Sequence, residues 1–216
     1  MNNEHQLTNG PLLNDEGNLS EAGYAFSLVK EYDRKKINGL ISRIKEWDYY
    51  YIGNKDYGVA LTVADNSYMW LVSITFLDFI NKKETTSSPL GFFSFGKLHM
   101  PSTSKQGDVI FKKKHFSFSF RHENGGRHLE VWMDNFGKNK VRFEADLFLT
   151  ETNKDSMVIA TPFDKPKHFY YNQKINLLKA KGFVKVNDNT YDFNDSYGVL
   201  DWGRGIWTYK NTWYWS

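Results

Sequence analysis

Two carboxylates stand two residues apart in the segment "KEWDYYYI" (residues 45–52), as Glu46 and Asp48. On a β-strand both would share one face, with Trp47 and Tyr49 on the other. If that face is buried, their proximity raises one of the two pKa values, and the pair could act as acid and base. Exposure to water is the commoner outcome for two charged residues, so we expect this face to be solvated.

The closing segment "GVLDWGRGIWTYKNTWYWS" (residues 198–216) combines a few charged residues with four of the seven tryptophans of the chain. We expect Asp201 and Arg204 to lie near each other or near the Glu46–Asp48 strand. A buried Arg204 must be paired, because an isolated buried charge costs several kcal/mol. The two glycines of "DWGRG" predict a sharp turn and a close approach to a neighbour.

The tryptophans of this segment are candidate neighbours of the arginine, because guanidinium groups stack on aromatic faces. Trp202 and Trp207 are expected beside Arg204, and Trp213 and Trp215 share a face further along. The group could form a structural plug, in which carboxylates hold the arginine beneath the tryptophans. The same residues could equally line a ligand site.

The segment "TPFDKPKHFYYNQKI" (residues 161–175) begins with two prolines, which predict a loop that enters a strand. Tyr170 and Tyr171 then point to opposite faces, so at most one reaches the interior. Lys174 could be a buried base or an imine-forming amine, although a solvated lysine is commoner. We count Tyr170 and Lys174 among the candidate ligand-binding residues.

The cluster "RHENGGRH" is the one place where histidines gather, with His122, Glu123 and His128 around a predicted hairpin turn. Two histidines and a glutamate are potential zinc ligands. Their loose spacing favours a solvated turn, so we expect no metal. No phosphate-binding glycine loop or nucleophile elbow is present, and the sequence predicts no cofactor.

Composition excludes several further classes. The chain has no cysteine, and so neither disulfides nor thiolate chemistry. Its net charge is only +3, and its basic residues are scattered along the chain. A nucleic-acid-binding protein would be expected to concentrate them on one face, so this function is disfavoured. The N-terminus lacks a signal-peptide pattern, and the longest apolar stretch is too short for a membrane-spanning helix. We expect a soluble, cytoplasmic protein.

Apolar and polar residues alternate with a period of two, and this pattern predicts the strands that position these residues. Phe116, Phe118 and Phe120 alternate with serines, "ENGG" predicts a tight hairpin, and the pattern continues to residue 150. Aromatic residues favour strands, and they are 17% of the chain. We predict an all-β fold with little helix, an antiparallel meander forming a barrel or strongly curved sandwich.

The chain divides into an N-terminal arm (residues 1–40) and a β-barrel-like domain (residues 41–216). The arm contains "SEAGYAFSLVKEYDRKKI", in which a short helix and a strand fit equally well. Within the second part, the polar residues 81–89 predict a loop and an internal break.

Five segments resemble the conserved blocks of the family called domain of unknown function 2804. They are "GPLLNDEGNLSEAGYA", "KEWDYYYI", "TPFDKPKHFYYNQKI", "LLKAKGFV" and the closing segment with "DWGRG". The resemblance implies a calycin- or lipocalin-like β-barrel, loosely similar to two-barrel proteins that include carotenoid hydratases and cyclases. Members normally continue into a second β-rich half, so we expect this chain to correspond to the N-terminal part of the family fold. The C-terminal aromatic strand is therefore a candidate surface for self-association.

Three functions follow as hypotheses, ranked in this order. The first is binding of an apolar small molecule or lipid in an aromatic-lined interior. The second is a purely structural role as half of a larger fold. The third is a hydratase, isomerase or cyclase activity, in which Glu46, Asp48 and Asp201 supply acid and base and Arg204 polarises the substrate.

Overall fold

The computed structural model of the protein describes residues 4–212 and confirms the all-β prediction. Helix among these residues is limited to two single turns of 3-10 helix, Arg34–Lys36 and Ile41–Arg43. The strands are β1 Gly10–Pro11, β2 Gly23–Ala25, β3 Lys30–Glu31, β4 Ile44–Gly53, β5 Tyr57–Asp65, β6 Met69–Asp78, β7 Lys83–Ser87, β8 Leu90–Phe92, β9 Val109–Lys113, β10 Phe116–Glu123, β11 Gly126–Phe136, β12 Val141–Thr150, β13 Met157–Pro162, β14 Phe169–Val186, β15 Asn189–Asp192 and β16 Ser196–Ile206.

Fourteen of these strands form one antiparallel sheet with the order β7-β6-β5-β4-β16-β14-β12-β11-β10-β9 along its main path. The path has two free ends and does not close into a barrel. The sheet nevertheless rolls over its own core. Trp70 of β6 contacts Phe111 of β9 with ring centroids 4.9 Å apart, and Tyr50 of β4 contacts Phe120 of β10 at 5.0 Å. Within residues 4–212 the predicted closed barrel is therefore absent, and one large curved antiparallel sheet takes its place.

The predicted alternation places its apolar residues in this core. Phe116, Phe118 and Phe120 are buried, and β10 turns into β11 through Asn124 and Gly125 in the left-handed region (φ 51° and 74°). Such a turn matches the right-handed twist of the flanking strands, which explains the "ENGG" sequence.

The N-terminal arm contains both of the alternatives that its sequence left open. Gly23–Ala25 forms the short strand β2, which pairs with β13 at the sheet edge, and Arg34–Lys36 forms one turn of 3-10 helix. One local prediction needs correction. The predicted loop at residues 81–89 contains β7, which pairs with β6 over five residues. Polar side chains suit this strand because it lies at the edge of the sheet.

Helices long and apolar enough to cross a bilayer are not found in the region from residue 4 to residue 212.

The packing predicts that Phe118→Ala lowers the free energy of unfolding by about 3–5 kcal/mol, since it leaves a cavity beneath the curved sheet. Phe26→Ala is the matched control, because Phe26 is 54% exposed. Urea denaturation followed by fluorescence measures both changes. Equal losses for the two variants would contradict the assigned core.

Candidate functional site

The candidate residues lie on three adjacent strands at the centre of the sheet, β4, β16 and β14. Their register divides the residues between two faces. Arg204 of β16 is opposite Glu46 and Tyr171, whereas the ladder row three residues earlier, on the other face, aligns Asp201 with Tyr49 and Lys174. The inner, core-facing group contains Glu46, Asp48, Trp202 and Arg204. The outer group contains Trp47, Tyr49, Tyr170, Lys174, Asp201 and Trp207.

Arg204 is fully buried, and all five of its N–H groups are hydrogen-bonded. Nη2 donates to the Asp48 carboxylate at 2.9 Å, and Nε and Nη2 donate to the Pro101 carbonyl at 3.1 and 2.8 Å. Nη1 donates to the carbonyls of Trp47 and Gly203 at 2.7 and 2.9 Å. The guanidinium carbon also lies 4.3 Å from the ring centroid of Trp202, so the predicted stacking is present.

Asp201 does not take part in this cluster, because it lies on the opposite face of the strand from Arg204. The pairing partner of Arg204 is the alternative predicted one, a carboxylate of β4. Residues three apart in an extended strand cannot meet on one face. The predicted Asp201–Arg204 contact required a turn at "DWGRG", and β16 instead runs straight through it.

Glu46 and Asp48 are both buried, so the expectation that their face is solvated is wrong. Glu46 accepts a hydrogen bond from the Tyr32 hydroxyl at 2.8 Å and forms an ion pair with Arg34. Burial, reinforced by the Glu46 charge, raises the pKa of Tyr32 well above its usual value. Each carboxylate is therefore paired with an arginine of its own.

The outer group centres on Asp201, which is also buried. Its carboxylate forms an ion pair with Lys174 and accepts hydrogen bonds from Asn172 Nδ2 at 2.6 Å and Trp47 Nε1 at 3.3 Å. Tyr49 lies beside it in the same ladder row. Burial raises the pKa of Tyr49, and the charges of Tyr51 and Asp201 add to the effect.

Next to this charged row, three rings form what we call the aromatic platform: Trp47, Tyr170 and Trp207. Trp47 stacks on Tyr170 with centroids 5.7 Å apart and an interplanar angle of 15°. Trp207 meets both rings edge-on at 5.8 and 5.5 Å. At its margin, the ammonium of Lys45 lies 4.9 Å from the Trp207 ring centroid. Large aromatic rings are thus assembled on the side of the sheet that faces away from its core.

The first glycine of "DWGRG", Gly203, makes room for the aromatic platform. A Cβ atom at Gly203 would lie 2.1 Å from Cζ2 of Trp47, so only glycine lets the indole lie flat on the backbone of β16. The predicted close approach is therefore present, although the predicted sharp turn is not.

Some functional groups have no counterpart in the sequence predictions. Asn172 could have been found, because it lies two residues before Lys174 and hence on the same face. Tyr32 and Arg34 give no comparable signal, since they come from the N-terminal arm. Trp213 and Trp215 lie outside the described residues.

The histidine cluster does not assemble as a site built from His122 and His128. The two residues point to opposite faces of the β10–β11 hairpin, and His122 contacts the backbone oxygens of Ser104 and Gly107. His128 instead lies near Glu130 and Asp146, with candidate metal-binding atoms within 4.8 Å of one another. Both of its ring nitrogens are already hydrogen-bonded, to Glu123 and Asp146.

Comparison with known proteins adds a family and a structural likeness. A sequence model described as "Domain of unknown function (DUF2804)" matches residues 4–216. The fold is similar to that of a Nitrosomonas europaea protein provisionally called AttH, with a TM-score of 0.55 and 11% identity. That match covers 83% of this chain and 57% of the other, so this chain spans little more than half of its neighbour. No curated protein matches the sequence.

The inner ion pair yields a first prediction for this site. Arg204→Met leaves the Asp48 carboxylate buried without a partner, which should lower the free energy of unfolding by about 3–5 kcal/mol. The double variant Asp48→Leu/Arg204→Met removes both charges and should recover part of the loss. As a control, Arg121→Met breaks an exposed pair with Glu130 and should cost less than about 1 kcal/mol. Denaturant unfolding measures all three, and an R204M protein as stable as the wild type would refute the assignment.

His128 yields a prediction of pH dependence. Burial acts to lower its pKa, but the hydrogen bonds to Asp146 and Glu123 outweigh it and raise the pKa above 6.5. A raised folded-state pKa stabilises the protein below the unfolded pKa, and that stabilisation disappears as pH rises through the folded value. The stability difference between wild type and His128→Gln should therefore be larger near about pH 5.5 than near about pH 8.5. An equal stability difference at both pH values would contradict the pairing of His128 with Asp146 and Glu123.

Proposed function

The chain belongs to the DUF2804 family, a domain of unknown function, and we propose that it binds an apolar small molecule or lipid on its aromatic platform. The observation that carries the proposal is the stack of Trp47 on Tyr170 over the bare backbone of Gly203, on the outer face of the sheet. Ligand sites are mostly apolar and aromatic surfaces with a few placed polar groups, and the platform has this composition.

The polar groups beside the platform specify one end of the ligand. Lys174, Asp201 and Tyr49 form a ladder row next to the one that contains Trp47 and Gly203. The row holds a cation, a carboxylate and a hydroxyl in adjacent positions. A molecule with an apolar body and an acidic or hydrogen-bonding end could place the body on the rings and the end near Lys174.

We place the site on the outer face rather than in the predicted interior because the inner residues are committed to the fold. Trp202, Tyr50 and Tyr171 are fully buried side chains of the central strands. Arg204 has used every N–H, and Glu46 and Asp48 each bind an arginine. This favours the structural-plug interpretation for the inner group. In the outer group, Tyr170 and Asp201 are also buried, whereas Trp47, Tyr49, Lys174 and Trp207 are half-buried and present surface to a ligand. Catalysis by the inner carboxylates is correspondingly disfavoured.

A role as half of a larger fold is the second candidate. The length of the structural neighbour, of which this chain spans 57%, favours it. In that case the platform and the C-terminal aromatic segment would pack against another domain or a second copy of the chain. Aromatic surface of this kind suits a protein interface as well as a ligand.

Organic extraction of the purified, folded protein, followed by mass spectrometry, tests the proposal. We expect about one equivalent of an apolar compound per chain, as a preformed site implies. The extract of Trp47→Ala/Tyr170→Ala should lack the compound, and that of Trp132→Ala should retain it. Trp132 is the matched control because it is also an aromatic residue contacted by a cation, Arg142, but lies on β11.

Two results would contradict this function. An empty extract from well-folded wild type would exclude a tightly bound ligand. A wild-type dimer that the platform substitutions dissociate, measured by sedimentation velocity, would instead support the half-fold role.

A further inference from the structure

The end of β8 and the short loop that follows it expose three phenylalanines at the end of the sheet where β5 turns into β6. Phe92 and Phe93 are 68% and 66% exposed, and Phe95 is 45% exposed. Their rings contact one another, with centroids 6.1 Å apart for Phe92 and Phe93 and 5.9 Å for Phe93 and Phe95. Three adjacent aromatic rings in water are unfavourable, and such patches usually mark an interaction surface.

The backbone of the loop is strained at two of the three positions. Phe93 and Phe95 have φ values of 63° and 45°, in the left-handed region that bulky residues rarely adopt. Glycine or asparagine would adopt this conformation at less cost. The local backbone therefore does not account for phenylalanine at these positions, and neither does burial.

Buried polar groups hold the base of the loop in place. The fully buried carboxylate of Asp65 accepts hydrogen bonds from Ser94 Oγ at 2.7 Å and from the backbone N–H of Ser67 at 2.9 Å. The backbone N–H groups of Phe93 and Phe95 donate to the carbonyls of Tyr68 and Ser67 at 2.8 and 2.9 Å. The fold thus fixes the direction in which the rings are presented.

One basic residue contacts this loop, and others lie in the segments that meet beside it. The Arg34 guanidinium contacts it at Gly96, where a Cβ atom would lie 2.7 Å from Nε, and donates to Ser67 Oγ at 2.9 Å. The turn that carries Ser67 also bonds to the start of β4 at the Ile44 carbonyl. Residues 33–45 and 90–99 therefore meet at this end of the sheet. They contain one acidic residue, Asp33, and six basic ones: Arg34, Lys35, Lys36, Arg43, Lys45 and Lys97. Arg34 is ion-paired with Glu46, and Arg43 and Lys45 lie against the rings of Tyr209 and Trp207. Lys35, Lys36 and Lys97 are exposed.

We propose that this end of the protein docks on an anionic lipid membrane. Phe92, Phe93 and Phe95 would insert between the headgroups while Lys35, Lys36 and Lys97 lie against them. Aromatic tips combined with lysine and arginine are the composition of interfacial membrane anchors. A protein interface is less well matched, because its core is depleted in lysine. The proposal is independent of the ligand-binding function above.

Vesicle co-sedimentation of the full chain tests the docking. Vesicles of phosphatidylcholine with about 30% phosphatidylserine should bind the protein at least about tenfold more tightly than phosphatidylcholine alone, and added salt should weaken the binding. Phe92→Ser/Phe93→Asn/Phe95→Asn should reduce binding at least about tenfold, since it removes the inserted rings. Asparagine preserves the left-handed backbone, and circular dichroism verifies the fold.

Two further variants separate the contributions of rings and charge. Lys35→Glu/Lys36→Glu/Lys97→Glu should weaken binding to the anionic vesicles only. Phe26→Ser removes an exposed phenylalanine elsewhere and should leave binding unchanged.

Three outcomes would overturn the proposal. They are no binding to anionic vesicles, binding that is insensitive to the triple phenylalanine variant, and a wild-type dimer that this variant dissociates. The last outcome would assign the loop to contact with a second copy of the chain.

Discussion

A guanidinium without access to water must have every N–H group hydrogen-bonded, and this requirement organises the centre of the sheet. Arg204 meets it with the carboxylate of Asp48 and with carbonyls of β4, β16 and the loop at Pro101. Removing any one of these partners would leave a buried donor unsatisfied. The arginine therefore fixes the position of three segments relative to one another, and the tryptophan beneath it completes the packing.

The position of Arg204 also determines which residues of β16 lie on the outer face, because side chains alternate along a strand. Since Arg204 and Trp202 point inwards, Asp201 and Gly203 must point outwards. The outward glycine admits the Trp47 indole, and the outward aspartate pairs with Lys174. One stretch of β16 thus builds a buried ion pair on one side and an aromatic surface on the other. The candidate binding surface depends on the same register as the buried ion pair.

The sequence predicts the local features well and the long-range ones poorly. Alternation identifies the inward rows of the meander, and it places Glu46 and Asp48 on a common face. It does not reveal that this face is buried, because the compensating Arg204 lies 156 residues from Asp48. The "DWGRG" glycines predict a turn, since glycine is common in turns. Here they are required by a tryptophan from another strand, which local sequence does not disclose.

The most direct test of the outer-face assignment is an NMR titration of the tryptophan indole N–H resonances with dodecanoate, an apolar chain with an acidic end. Trp→Phe substitutions assign the signals. If the platform binds the ligand, Trp47 and Trp207 should show saturable shifts and Trp132 should show none. Shifts confined to the core residue Trp202, or no shift in a folded sample, would contradict it.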